Sequence, residues 1–162
     1  MANKYRIGDT LVVVVSAGKE NVGKVGVVTE ITDGDYYTLD TLPNYAFKEN
    51  CLSRARGVDL IRRERQRQVE EEGYDARHDF RHTLKEFINA AIAYAIYEDD
   101  AYVSGDDGET CSEKLWPWDK EHWKPKDRKR NLVRAGALIA AAIDKILMEE
   151  QLEQYEQEKK ED

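Results

Sequence analysis

The chain has 162 residues, 41% hydrophobic and 36% charged, enough for a modest core under a heavily charged surface, in one ordinary domain or two small ones. No run of eighteen apolar residues occurs and residues 1–6 lack the apolar stretch of a signal peptide, so neither a membrane span nor a leader is predicted. The net charge of −8 is uneven: residues 149–162 carry −5 and the rest −3, with cations gathered at 62–67 and 124–134.

That balance argues against a grip on long nucleic acid, which needs a broad positive surface, and suits a small anion. Cys51 and Cys111 lie far apart without CxxC spacing, which predicts reduced thiols and a cytoplasmic setting.

In chain order, the first third reads as short strands: Thr10–Val15, Lys24–Ile31, Asp35–Asp40 and Tyr45–Lys48. Asp33-Gly34 marks a tight hairpin between the second and third. Strands this short bury their faces by curling into a small barrel, predicted over residues 1–55. The run Val22-Gly23-Lys24-Val25-Gly26-Val27-Val28-Thr29-Glu30-Ile31 resembles the KOW-type element of small Src-homology-like barrels. Its glycine between apolar residues permits a sharp strand bend. The barrel cations are scattered, so it is read as structural or oligomerising.

Residues 56–150 form a predicted helical module, and residues 151–162 an acidic tail that frays, giving an α+β chain. Asp59 is the predicted N-cap of a helix over Leu60–Glu72, stopped at Gly73. Ile61 and Val69 supply a thin apolar stripe, and Arg63 and Arg67 share a face one turn apart. One reading is a solvated helix with pairs such as Arg67 to Glu71. The other is a helix that lines a polar pocket and aims Arg63 or Arg67 at phosphate. Thr83 to Glu86 is a capping box that starts a helix running to Tyr97, with Phe87, Ile88, Ala91 and Ala95 as predicted core. Glu98–Thr110 is an acidic loop. A long helix from about Lys126 carries Leu132, Ala135, Ile139, Ile143, Ile146 and Leu147 on one face.

The nineteen residues Trp116–Arg134 hold all three tryptophans, two of the three prolines and a dense set of cations. Rigid aromatic faces beside Arg and Lys suit a ligand with a flat part and an anionic part, such as a nucleotide. Candidate stacking residues are Tyr74, Trp116, Trp118 and Trp123. Candidate phosphate partners are Arg63, Arg67, Lys124, Arg128 and Arg130. Asp79 or Asp119 would accept from ribose or adenine, and His78 is a pocket or core hydrogen-bonding residue.

The order Glu72-Gly73-Tyr74 with Arg77-His78-Asp79, Asn89-Ala90-Ala91 with Tyr94-Ala95, Trp116-Pro117-Trp118-Asp119, Trp123-Lys124-Pro125 and Arg130–Ile139 resembles a widespread group of small phage and prophage proteins. It also resembles the RyR-repeat domain, named from ryanodine receptors. The likeness covers residues 60–147. It implies a helical module that binds adenine-containing nucleotides, possible ligands being ADP-ribose-type signals. For a phage protein in the host cytoplasm it further implies anti-defence activity, by sequestering a nucleotide second messenger of host immunity. Two departures bear on that reading: such repeats usually carry tryptophan where Tyr74 stands, and the acidic loop replaces their proline-rich linker.

Binding without turnover is expected, because no general base is paired with a nucleophile. A metal-dependent hydrolase would place carboxylates at ExxE spacing on facing helices, yet Glu70, Glu71 and Glu72 face only Glu86 before Asn89. His78 and His82 have the i,i+4 spacing of zinc ligands, with Cys111 and His122 available, but His82 sits at a helix start, and no metal or cofactor is assigned. A nucleic-acid or protein adaptor built on the barrel is the alternative. Two small units and an alanine-lined helix predict a homo-oligomer.

Overall fold

The structure, a computed structural model, describes residues 3–16, 18–99 and 108–161. The chain is α+β and divides into two compact units, one up to Arg63 and the other from Glu64 onward.

The first unit is a five-stranded antiparallel sheet of β1 (Thr10–Val13), β2 (Val25–Thr32), β3 (Tyr36–Leu39), β4 (Leu42–Lys48) and β5 (Leu52–Arg54), in the order β4-β3-β2-β1-β5. The sheet is open: β4 and β5 are its two edges and do not pair, so the predicted barrel is not closed. The first strand stops at Val13 and leaves Val14 and Val15 exposed, two residues short of its apolar run. β5 was illegible at three residues.

Period-two burial puts Tyr37 and Leu39 of β3 into a core with Leu11, Val13 and Val28. Asp33 (φ 50°) and Gly34 (φ 80°) both take the left-handed conformation that the Asp-Gly turn demands. A Cβ on Gly26 would lie 2.6 Å from Thr41 Oγ1 and 2.7 Å from Leu39 Cβ, so a glycine is needed for close approach there.

α1 (Gly57–Glu72) crosses from one unit to the other. It starts ahead of the predicted cap, with the Asp59 carboxylate turned back to accept from Arg56 N–H at 2.8 Å. Gly73 (φ 73°) ends it, and Tyr74 N–H donates to the Gln68 carbonyl at 2.9 Å. The second unit continues with α2 (Ala76–Asp79), α3 (Leu84–Ile96), α4 (Cys111–Leu115) and α5 (Arg128–Glu161). Both arms of the Thr83–Glu86 capping box are made, Thr83 N–H donating to Glu86 at 2.6 Å.

α3 and α5 pack through Phe87, Ala90, Ala91, Tyr94, Ala135, Leu138, Ala141 and Ala142. The predicted core is corrected here: Phe87 and Ala91 are buried, whereas Ile88 and Ala95 are exposed; of the residues read on one face of α5, Ala135 is buried and Leu132, Ile139, Ile143, Ile146 and Leu147 are exposed. The alanine faces win because small side chains let two helix axes approach closely, and the bulkier aliphatic arc then points outward. α5 also continues through the segment expected to fray, with Gln151–Lys160 exposed throughout. Most of the predicted acidic loop, including Asp100, Gly105, Asp106 and Asp107, lies outside the described residues. No helix among the described residues is long and apolar enough to cross a membrane.

Candidate functional site

α1 packs inside out. Its buried residues in the second unit are Glu64 and Gln68, one turn apart, while Val69 faces solvent. Glu64 is 1% exposed, and a carboxylate so placed must be met by positive charge. It accepts a bidentate pair from Arg67, Nε at 3.1 Å and Nη2 at 3.0 Å. Arg130 Nη2 approaches it at 2.5 Å and Arg134 Nε at 3.9 Å. The first helix of the unit is thereby tied to the start of its last. Arg67 also reaches Glu72 at 2.8 Å and the predicted partner Glu71 at 3.7 Å, and its hydrogen bonds to Glu64 first and Glu72 second raise its pKa further.

Arg65 repeats the device. It donates to Asp79 at 2.5 Å, to Asp144 at 3.3 Å and to the Tyr74 carbonyl at 2.9 Å. Asp79 is buried, with the His78 ring nitrogen Nδ1 at 3.3 Å. The short α2, capped by Asp75 accepting from His78 N–H, aims His78 and Asp79 inward together.

A continuous run of rings follows. Tyr74 stacks on His78 with centroids 4.6 Å apart and planes 26° apart. His78 is 5.0 Å from His82, His82 is 5.3 Å from Trp118, Trp118 is 5.1 Å from Trp116, and Trp116 is 4.9 Å from Trp123. Trp118 Nε1–H donates to His82 Nδ1 at 3.1 Å, which leaves the ring proton of a neutral His82 on Nε2. Glu86 is 3.6 Å from the same Nδ1.

Tyr74, His78, His82, Trp116 and Trp118 of this run wall a cavity of about 620 Å³ in the second unit. Tyr94, under the Arg134 guanidinium at 5.4 Å, forms part of its floor, and burial pushes its phenol pKa up. Burial and the nearby Glu72 raise that of Tyr74. The lining carries four cations (Arg65, Arg67, Lys124, Arg134) and four carboxylates (Glu64, Glu72, Asp79, Asp119), beside His78, His82 and His122. Arg65 and Arg67 are saturated by acids, whereas Lys124 is exposed and makes no ion pair among the described residues. The Gln68 side chain is buried in the wall.

Of the predicted site residues, Arg67, Tyr74, His78, Asp79, Trp116, Trp118 and Lys124 line the cavity. Arg63 does not: it belongs to the first unit and pairs with Asp40 at 2.6 Å. Trp123 packs behind the wall against Tyr94, Trp116 and Tyr97. Arg128 is exposed beside Asp99 at 3.3 Å, and Arg130 holds Glu64. Asp79 is engaged by Arg65 and His78, which limits it as an acceptor for ribose. Sequence reasoning passed over Glu64, Gln68 and Tyr94. The legible signal for the first two was their i,i+4 spacing among arginines on a helix with almost no apolar stripe.

Asp119, Glu121 and His122, all exposed, are the one group among the described residues that could close around a metal ion. The fold and site together define an α+β chain whose helical unit carries a charge-balanced, aromatic-walled pocket. Comparison with family models, with curated proteins and with solved structures finds no match for the chain.

Proposed function

We propose that the helical unit binds a nucleotide without turning it over. The observation that carries this reading is the cavity itself: a run of aromatic rings in one wall, Tyr74 stacked on His78 and the tryptophans meeting edge to face, beside cations held in place by a buried carboxylate. Ring faces take a base, as they do wherever nucleic-acid bases are stacked by proteins. Lys124 and Arg134 meet phosphate, while Glu72 and Asp119 accept from ribose hydroxyls. Gln68 offers an amide donor and acceptor side by side, the pattern that pairs with the N6 and N7 edge of adenine. A volume of about 620 Å³ lies in the ordinary range for small-molecule sites. Because cations and carboxylates balance in the lining, the fit is to a ligand of low net charge, an ADP-ribose-type or cyclic nucleotide, and not to a triphosphate. Tight capture of such a signal would make the protein a sponge for a nucleotide second messenger, the anti-defence role that the phage resemblance implies. We also propose that the chain works as a homo-oligomer.

The test incubates purified protein with a mixed pool of ADP-ribose-type and cyclic nucleotides, then identifies by mass spectrometry what denaturation releases. One intact nucleotide at near-stoichiometric ratio is expected, with at least tenfold weaker retention by Gln68→Leu. Cleaved product would move the reading to a hydrolase, and an empty protein would return the aromatic wall to a purely structural role.

A further inference from the structure

We infer that the outward face of α3 and α5 is a self-association surface, on which a second copy of this chain packs with its α5 antiparallel to the first. The inference gives a surface to the proposed homo-oligomer and does not depend on what the pocket holds.

Within the unit, Arg134 lies over the Tyr94 ring, and Lys145 Nζ donates to the Phe80 carbonyl at 3.2 Å. Rising numbers from Phe80, just ahead of α3, to Tyr94 within it therefore meet falling numbers on α5, and the two helices run antiparallel. On both, exposed isoleucines directly follow buried residues: Ile88 follows Phe87, Ile92 follows Ala91, Ile139 follows Leu138 and Ile143 follows Ala142. One residue is about 100° of rotation, and in an antiparallel pair that shared offset turns both stripes to the same side. Leu132, Ile146 and Leu147 extend the α5 stripe, and the seven side chains are 38–51% exposed. A contiguous aliphatic patch of this kind on a soluble unit marks an interaction surface.

Charge selects the occupant and its direction. α5 begins with Arg128 and Lys129, and its far half carries Glu149, Glu150, Glu153, Glu156 and Glu158 ahead of Lys159 and Lys160 in the last turn, which leaves that half net acidic. Lys129 and Glu150 flank the stripe, are exposed, and make no ion pair among the described residues. A register that sets Leu132 of one copy opposite Leu147 of the other sets Lys129 opposite Glu150. It also sets Ile143 opposite Gly136, whose missing side chain leaves room for it. Parallel pairing would instead oppose each basic and each acidic end to its own copy, which costs energy.

Sedimentation velocity of the full chain over a concentration series tests the surface. A two-chain species is expected, falling to one chain in Ile139→Glu/Ile143→Glu with unchanged helical circular dichroism. A wild-type monomer at every concentration, or an undiminished dimer in that variant, overturns the inference. Should the variant misfold, cross-linking decides. In a Cys51→Ser/Cys111→Ser background, oxidation should join chains carrying Leu132→Cys to chains carrying Leu147→Cys, but not Leu132→Cys chains to each other. Self-cross-linking of Leu132→Cys alone, or no cross-link in the mixture, overturns the antiparallel register.

Discussion

Glu64→Gln tests the arginine cage most directly. The substitution keeps the side-chain shape but removes the charge that Arg67, Arg130 and Arg134 share. A single amide oxygen cannot replace the two carboxylate oxygens, and its NH₂ is forced against a guanidinium that also only donates. Breaking a buried ion pair from one side typically costs about 3–5 kcal/mol. Arg67 and Arg130 keep 27% and 37% of their side chains exposed, so water recovers part of that loss. The expected destabilisation of the helical unit is about 2–3 kcal/mol, a fall of roughly 1–2 M in its urea midpoint at ordinary slopes. All three tryptophans lie in this unit, so their fluorescence follows its unfolding without interference from the sheet. Combining the change with Arg130→Gln should restore part of the loss, because the orphaned cation is removed. A midpoint shift below about 0.5 M would refute the cage as a determinant of this fold.

Gly26→Ala should unfold the sheet unit early, by about 2 kcal/mol, because the new methyl meets Leu39 Cβ in the neighbouring strand; far-ultraviolet dichroism would register the loss while tryptophan fluorescence stays native. Trp123→Ala and Arg128→Ala should part company. The first opens a gap behind the aromatic wall and costs about 3 kcal/mol in unfolding by urea, whereas the second leaves both stability and nucleotide retention within twofold of the parent. The Thr83 N–H holds the Glu86 carboxyl below its ordinary value of about 4.5. Its stabilising contribution is therefore complete above that value and is lost as pH falls through the lowered one. Urea midpoints between pH 6 and pH 3 should fall less steeply for Glu86→Gln than for the parent, and parallel curves would show that this cap carries no linkage.

Local signals in the chain determined the elements that short-range physics controls. Asp33-Gly34 set its hairpin because two left-handed residues were required there, Gly73 ended α1, and Thr83 with Glu86 began α3, each within one turn of where the residues are read. The aromatic and basic character of the pocket was also legible, through Tyr74, His78, Trp116, Trp118 and Lys124. Only tertiary packing decided which faces were buried. Hydrophobic periodicity ranks side chains by transfer free energy, so it favoured Ile139 and Ile143 over Ala141 and Ala142, although close helix approach rewards the smaller residues. It also gave no sign of a role for Glu64. A carboxylate can be buried only where several cations converge, and Arg67, Arg130 and Arg134 meet it from two helices that are far apart in the chain.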